Sequence, residues 1–153
     1  MPTIWLTQSA PSVAALAEAL RPMCATICPV PLAQAEVRQN LDCPVVAEQV
    51  SACDTLIFTS GHAVRFWHAF FPDWPSQHAQ KYMAIGPTTA AELEAFGCHS
   101  VVFPTAHHRG SDALLAQLST WDKQRFAILT GVQRRGVLEQ QLMAWGHDVQ
   151  CVP

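Results

Sequence analysis

The sequence is poor in charge. Only 14% of its 153 residues are charged, nine Lys+Arg stand against twelve Asp+Glu, and the net charge is −3. Two of the cations, Lys81 and Lys123, are lysines and the other seven are scattered arginines. That balance excludes the basic stripe of a general nucleic-acid binder. Long hydrophobic runs are missing too. Hydrophobic residues make up 50% of the chain, yet no run approaches the ~20 apolar residues of a membrane span. The opening Met1-Pro2-Thr3-Ile4-Trp5-Leu6-Thr7 has no basic segment and only a short apolar run, unlike a signal peptide. A cytoplasmic protein is expected. The six cysteines form no C-x-x-C, so free thiols serving as small apolar residues are expected. The seven histidines form no H-E-x-x-H, and adjacent His107 and His108 lack a third ligand, so no metal is expected. No G-x-S-x-G elbow, phosphate-binding G-x-x-x-x-G-K-[ST] or G-x-G-x-x-G is present, which removes the usual anchors of hydrolases and nucleotide enzymes. No acidic pair closes the first apolar run, so a phosphoacceptor receiver domain is excluded.

What the sequence does contain is a recurring unit: a short apolar run, a turn of small residues, then a helical pattern. Ile4-Trp5-Leu6 leads to Val13, Leu16, Ala17 and Leu20, spaced as one helix face. Thr55-Leu56-Ile57-Phe58 leads to Val64, Trp67 and Phe71. Tyr82-Met83-Ala84-Ile85 leads to a helix ending at Phe96-Gly97. Val101-Val102-Phe103 leads to Leu114, Leu115 and Leu118. Phe126-Ala127-Ile128-Leu129 leads to Val137, Leu138, Leu142 and Trp145, and Asp148 to Val152 forms a last strand. Runs that are apolar throughout, alternating with helices, predict an α/β fold: a doubly wound parallel sheet flanked by helices. Thr89-x-x-Glu92 reads as a capping box, and Gly97 and Gly146 as helix-ending glycines.

Residues 22–44 break the pattern with prolines at 22, 29, 31 and 44. Pro29 and Pro31 bar a central strand, so Ile27 to Val37 reads as extended connector. The expected organisation is a first βα unit over 1–30, a connector over 31–44, a complete α/β domain over 45–150 and the start of a return connector over 151–153.

In an open α/β sheet, ligands bind beyond the carboxyl ends of the strands. Here those ends are Thr7-Gln8-Ser9, Thr59-Ser60-Gly61, Gly86-Pro87-Thr88-Thr89, Thr105 to Ser111 and Thr130-Gly131. Each precedes a helix and offers free N–H groups at the positive end of its dipole, a surface for phosphates or carboxylates. The same residue types are also ordinary caps and turns. Asp54 and Asp112 read as solvated or capping carboxylates. Arg134 and Arg135 oppose the dipole of the helix they begin, which points to a ligand-facing role.

Taken together the motifs resemble the uroporphyrinogen-III synthase family. Ile4-Trp5-Leu6-Thr7-Gln8 is similar to that family's opening strand. Leu56 to Val64, reading LIFTSGHAV, resembles its most specific signature. Ala84 to Leu93, reading AIGPTTAAEL, resembles its second, and Ser111 to Leu118 with Leu129 to Leu142 resemble later segments. The resemblance implies two α/β domains joined by a two-stranded connector, with the active site in the cleft between them. It implies cyclisation of hydroxymethylbilane to uroporphyrinogen III, in tetrapyrrole (haem) biosynthesis, with inversion of ring D through a spiro intermediate and loss of water. No cofactor or metal is implied. The substrate carries eight carboxylates, which suits a Ser/Thr/Gly rim. Holding this flexible chain in a closing geometry is an entropy-trap role, to which stabilisation of an azafulvene cation would add. Carried over by position, Thr59 and Ser60 would contact substrate carboxylates and Gly61 would let the backbone approach. Gly86, Thr88 and Thr89 would line the same face, with Ser111, Gly131 and Arg135 as further contacts. No general acid or base is identified.

Two departures follow. Gln8 stands where the family has an arginine. The chain also stops at Pro153, where the family continues with a connector strand, a tyrosine implicated in catalysis and the rest of the first domain. Tyr82 does not match that tyrosine. The expectation is a truncated synthase in which residues 3–21 have no sheet to join, leaving an exposed edge, self-association or local packing open. The alternative is a non-catalytic module binding a tetrapyrrole or a protein. A flavodoxin-like nucleotide binder rests on fold analogy alone.

Overall fold

The computed structural model describes residues 3–9, 12–23, 26–36, 41–105, 110–132 and 136–153, Ser12 in its backbone alone. The chain divides into two compact units, Met1–Val37 and Arg38–Pro153.

The first unit contains strand β1 (Thr3–Leu6), helix α1 (Ser12–Leu20) and strand β2 (Thr26–Pro29). Along α1, Val13, Leu16, Ala17 and Leu20 are the less exposed positions, as their helical spacing predicts. The two strands pair in parallel from Thr3↔Thr26 to Leu6↔Pro29. This corrects the expectation that residues 3–21 have no strand to join. Val30 N–H donates to the Leu6 carbonyl at 2.8 Å. Successive N–H groups of a strand point to opposite sides, so the donor that Pro29 lacks would have faced away from β1. The proline-rich segment therefore begins as a strand.

The second unit runs α2 (Cys43–Ser51), β3 (Thr55–Phe58), α3 (Gly61–Phe70), α4 (Trp74–Gln77), β4 (Lys81–Ala84), α5 (Pro87–Ala95), α6 (Ser111–Leu118), β5 (Arg125–Leu129), α7 (Val137–Ala144) and β6 (Asp148–Val152). Its four strands lie in the order β4-β3-β5-β6, every pair parallel. Alternate side chains enter two cores. Leu56, Phe58, Tyr82, Ala84, Ala127 and Leu129 pack with Val50, Val64, Trp67, Trp74 and Leu93 from α2 to α5. Ile57, Met83, Phe126 and Ile128 pack with leucines of α6 and α7. Burial on both faces explains why these strands are apolar throughout.

Several local expectations change. Val101-Val102-Phe103 is reduced to one bridge, Met83↔Val102. Ser100 at φ 56° turns the chain into that bridge, and Pro104, with no N–H, cannot extend the ladder. The Thr89–Glu92 capping box does not form. Helix α5 starts three residues earlier, with Gly86 as its N-cap and Pro87 in its first turn, where the missing N–H costs nothing. The connector expected to reach residue 44 ends sooner, because Asp42 accepts from Val45 N–H and caps α2. The last strand forms over Asp148–Val152 as its pattern predicts, so Cys151 and Val152, placed by the expected organisation at the start of a return connector, pair instead with Ile128 and Leu129 of β5. The helix-ending glycines sit at φ +85° (Gly97) and +84° (Gly146). After each glycine the next N–H reaches back to the helix, Cys98 to Leu93 O at 3.0 Å and His147 to Leu142 O at 3.1 Å, as in a Schellman turn. Among the described residues no helix is long and apolar enough to cross a membrane.

Candidate functional site

Strand β3 has β4 on one side and β5 on the other, so the winding of the sheet reverses at the β3–β5 seam. Crevices open beyond the carboxyl ends of strands at such a reversal. Here the crevice is about 450 Å³. Its walls are Thr59, Ile85, Ile128 and Thr130 from the strand ends, Gly110 to Asp112 from the start of α6, and Gly136 to Glu139 from the start of α7.

Both helices bring their amino ends to this space, but each first turn carries its own carboxylate, Asp112 or Glu139. Among the described residues lining the crevice there is no cation. Arg109, Arg134 and Arg135 lie outside the described residues, as do His107 and His108. Among the described residues no group of three or more His, Cys, Asp or Glu could hold a metal ion.

The hydroxyls differ in what they can offer. Thr59 Oγ1 donates to the Leu129 carbonyl at 3.0 Å, so its proton is engaged and its lone pairs remain. Ser60 caps α3 by accepting from Ala63 N–H at 3.2 Å, so its proton is still available to a carboxylate. Ser111, at the start of α6, lines the crevice half-buried. Thr130 anchors the seam on its other side, its N–H donating to the Val152 carbonyl at 3.0 Å.

The remaining expected contacts separate from the crevice. Gly86 has an extended backbone (φ −176°), and a Cβ there would meet nothing within 4 Å. Thr88 is exposed, Thr89 is buried within α5, and Gly131 is exposed. Gly61 does allow a close approach, but by the chain's own carboxylate. A Cβ on Gly61 would lie 2.5 Å from Glu92 Oε1 and 2.7 Å from Oε2. That carboxylate is held by Arg65 Nη1 at 2.6 and 2.7 Å, and Arg65 Nη2 lies 3.1 Å from His62 Nδ1. Thus Thr59 and Ser111 come together in the crevice, whereas Ser60 and Gly61 stand at the start of α3 beside an ion pair. Asp112, Glu139, Arg65 and Glu92 are the residues that sequence reasoning did not place in the site. The pairing of Arg65 with Glu92 spans 27 residues and leaves no local signal.

Tyr82 is buried in the core, its hydroxyl without a partner among the described residues. Burial, reinforced by the neighbouring Cys98, pushes its pKa up to about 12. Burial likewise raises the thiol of Cys98 to about 11 and that of Cys53 above its ordinary value. These groups are inert core residues at neutral pH.

A family model described as Uroporphyrinogen-III synthase HemD matches residues 14–153. Solved structures match as well. A mutant uroporphyrinogen III synthase from the extremely thermophilic bacterium Thermus thermophilus gives a TM-score of 0.59 at 20% identity, covering 99% of this chain and 61% of that one. A second structure of the Thermus thermophilus enzyme gives 0.55 at 20% identity, covering 100% and 62%. A wild-type form of the protein from that bacterium gives 0.56 at 19% identity, covering 99% and 60%. At such identities the likeness is one of fold, and the chain spans about three-fifths of the length of these proteins. No curated protein matches the sequence.

Proposed function

The chain belongs to the uroporphyrinogen-III synthase family, and from that premise we propose that it acts on hydroxymethylbilane in tetrapyrrole biosynthesis, a lyase that closes the linear tetrapyrrole to uroporphyrinogen III with loss of water. The family match over residues 14–153 carries this reading. The crevice at the sheet's reversal supports it, because it lies where an α/β fold takes its ligands.

In this reading the rim holds a flexible chain in a closing geometry, work that is mostly entropic. Ser60, with its proton free, donates to a substrate carboxylate. Thr59, its proton donated to the Leu129 carbonyl and its oxygen still able to accept, suits a pyrrole N–H. Ser111 contributes a further hydroxyl, and Gly86, Thr88, Gly131 and Arg135 are assigned to the outer rim, while Thr89, buried within α5, is left out. The first turns of α6 and α7 already carry Asp112 and Glu139. Asp112, which lines the crevice beside Thr59 and Ser111, suits the electron-poor part of the substrate, the azafulvene cation left when hydroxide departs. The carboxylate arms then belong on the outer rim.

The experiment is an isomer assay. Purified protein is given hydroxymethylbilane, the products are oxidised, and uroporphyrins I and III are separated by chromatography. Spontaneous closure gives isomer I alone, so an excess of isomer III supports the proposal. Isomer I alone defeats it for this chain.

A further inference from the structure

The Arg65–Glu92 pair occupies a position that the proposed function gives to a ligand. Glu92 reaches from α5 to the start of α3 and lays its carboxylate over Gly61, the one residue type that leaves room for it. There it meets the positive end of the α3 dipole. Arg65, one turn further along α3, grips both of its oxygens. The pair is not sealed. The side chains of Arg65 and Glu92 keep 30% and 28% of their surface exposed, so solutes reach them. The next residue before Gly61 is Ser60, whose hydroxyl proton is uncommitted.

We infer that Arg65, Gly61 and Ser60 form a carboxylate-binding subsite in which Glu92 is an internal occupant, displaced when a carboxylate arm of the ligand arrives. The inference rests on the reading of this rim as a carboxylate surface. The exchange conserves charge: one carboxylate leaves the guanidinium and another takes its place. Glu92 therefore acts as a competitor, and affinity is reduced to the fraction of molecules in which Arg65 is vacant. The device keeps a cation available on a rim that is otherwise poor in described cations. It also makes binding of a lone carboxylate weak, so that only a ligand bringing several arms gains from it.

The test uses benzenehexacarboxylate, a probe that needs no turnover, and titration calorimetry. If Glu92 holds Arg65 in about nine molecules of ten, Glu92→Gln tightens binding about tenfold. Glu94→Gln, which removes an exposed carboxylate from the same helix, controls for the change in net charge and shifts binding by less than about twofold. In Glu92→Gln/Gly61→Ala the new methyl occupies the place where a carboxylate lies over Gly61, and the gain disappears. Thermal melts of each variant establish that the fold persists. Binding by Glu92→Gln no tighter than by Glu94→Gln, a gain that survives in the double variant, or no binding by any variant overturns the inference. The isomer assay on the unmodified protein stands apart from this result: isomer III with no gain at Glu92→Gln sinks the subsite and spares the function. A gain without isomer III does the reverse.

Discussion

Thr59 donates its hydroxyl proton to the Leu129 carbonyl across 3.0 Å, at the seam where β3 and β5 end. The same carbonyl also accepts from Thr59 N–H at 3.1 Å. Removing the hydroxyl therefore leaves no buried acceptor unpaired, and the cost is only that of one surplus hydrogen bond, about 1 kcal/mol or less. Thr59→Val keeps the shape of the side chain. It is expected to melt within a few degrees of the parent, while formation of isomer III falls because the crevice loses an acceptor. A variant that melts normally and retains full turnover would reduce Thr59 to a staple between strands.

Ser60 makes the complementary case, since its cap and its proposed ligand contact use different parts of one hydroxyl. Ser60→Ala loses both and is expected to cost about 1 kcal/mol of stability. Ser60→Asp keeps an oxygen for Ala63 N–H and adds charge that the α3 dipole favours, so its melting temperature is expected to match or exceed the parent's. It places a negative charge where a carboxylate arm should land. Uroporphyrin III binding, followed by fluorescence, is expected to weaken at least about tenfold. Unchanged binding in Ser60→Asp would make Ser60 a cap and nothing more.

The sheet was legible because its strands are buried on both faces. Leu56–Phe58 and Phe126–Leu129 are apolar without a break, a pattern that surface strands do not show. β2 was not legible, because a proline is compatible with one side of a strand and the sequence does not say which side is needed. α4 is too short for its period to register. Val101 to Phe103 looks like the other strands but makes one bridge, since its neighbours Ser100 and Pro104 limit it. The strand-end rule pointed to Thr59 and Ser111, which line the crevice, and also to Ser60, which stands apart from it at the start of α3. It did not say that α3 and α5 serve one face and α6 and α7 the other, and so could not separate Gly61 from the crevice. Nor could it show that the space over Gly61 is filled by Glu92 from another helix.

Two glycines of α5 that look alike in sequence are expected to behave differently. Gly86 begins the helix with extended backbone (φ −176°) and open space around it. Gly97 ends it at φ +85°, also in open space. Gly86→Ala therefore meets neither strain nor a clash and is expected to leave stability unchanged within about 0.5 kcal/mol. Gly97→Ala must hold a side chain in the left-handed region and is expected to lose about 1 kcal/mol. Urea unfolding of the two variants checks the contrast. Because Gly86→Ala folds normally, any loss of isomer III in that variant reports a ligand approaching the backbone there.

Alkaline pH offers a test of the core beneath the site. Cys98 is buried and its pKa is raised from 9.0 to about 11, and Tyr82 beside it is raised from 10.0 to about 12. A raised acid stays neutral in the folded state while the unfolded chain ionises. Its contribution is whole below the unfolded pKa and is lost as pH rises through the folded one. Stability is therefore expected to be flat from pH 7 to near 9, then to fall towards pH 12. For Cys98 alone the loss is on the order of 3 kcal/mol once both states are ionised. Tyr82→Phe removes one of the two titrations and so flattens the upper part of the decline. It also removes a buried hydroxyl that has no partner among the described residues, a group that costs about 1–3 kcal/mol to bury unsatisfied. At pH 7 the variant is expected to be at least as stable as the parent, which is unusual for a core substitution. Since the hydroxyl of Tyr82 lies in the core and not in the crevice, isomer III formation is expected to continue unchanged. A less stable Tyr82→Phe at pH 7, measured by urea unfolding, would mean that the hydroxyl is satisfied by a buried water.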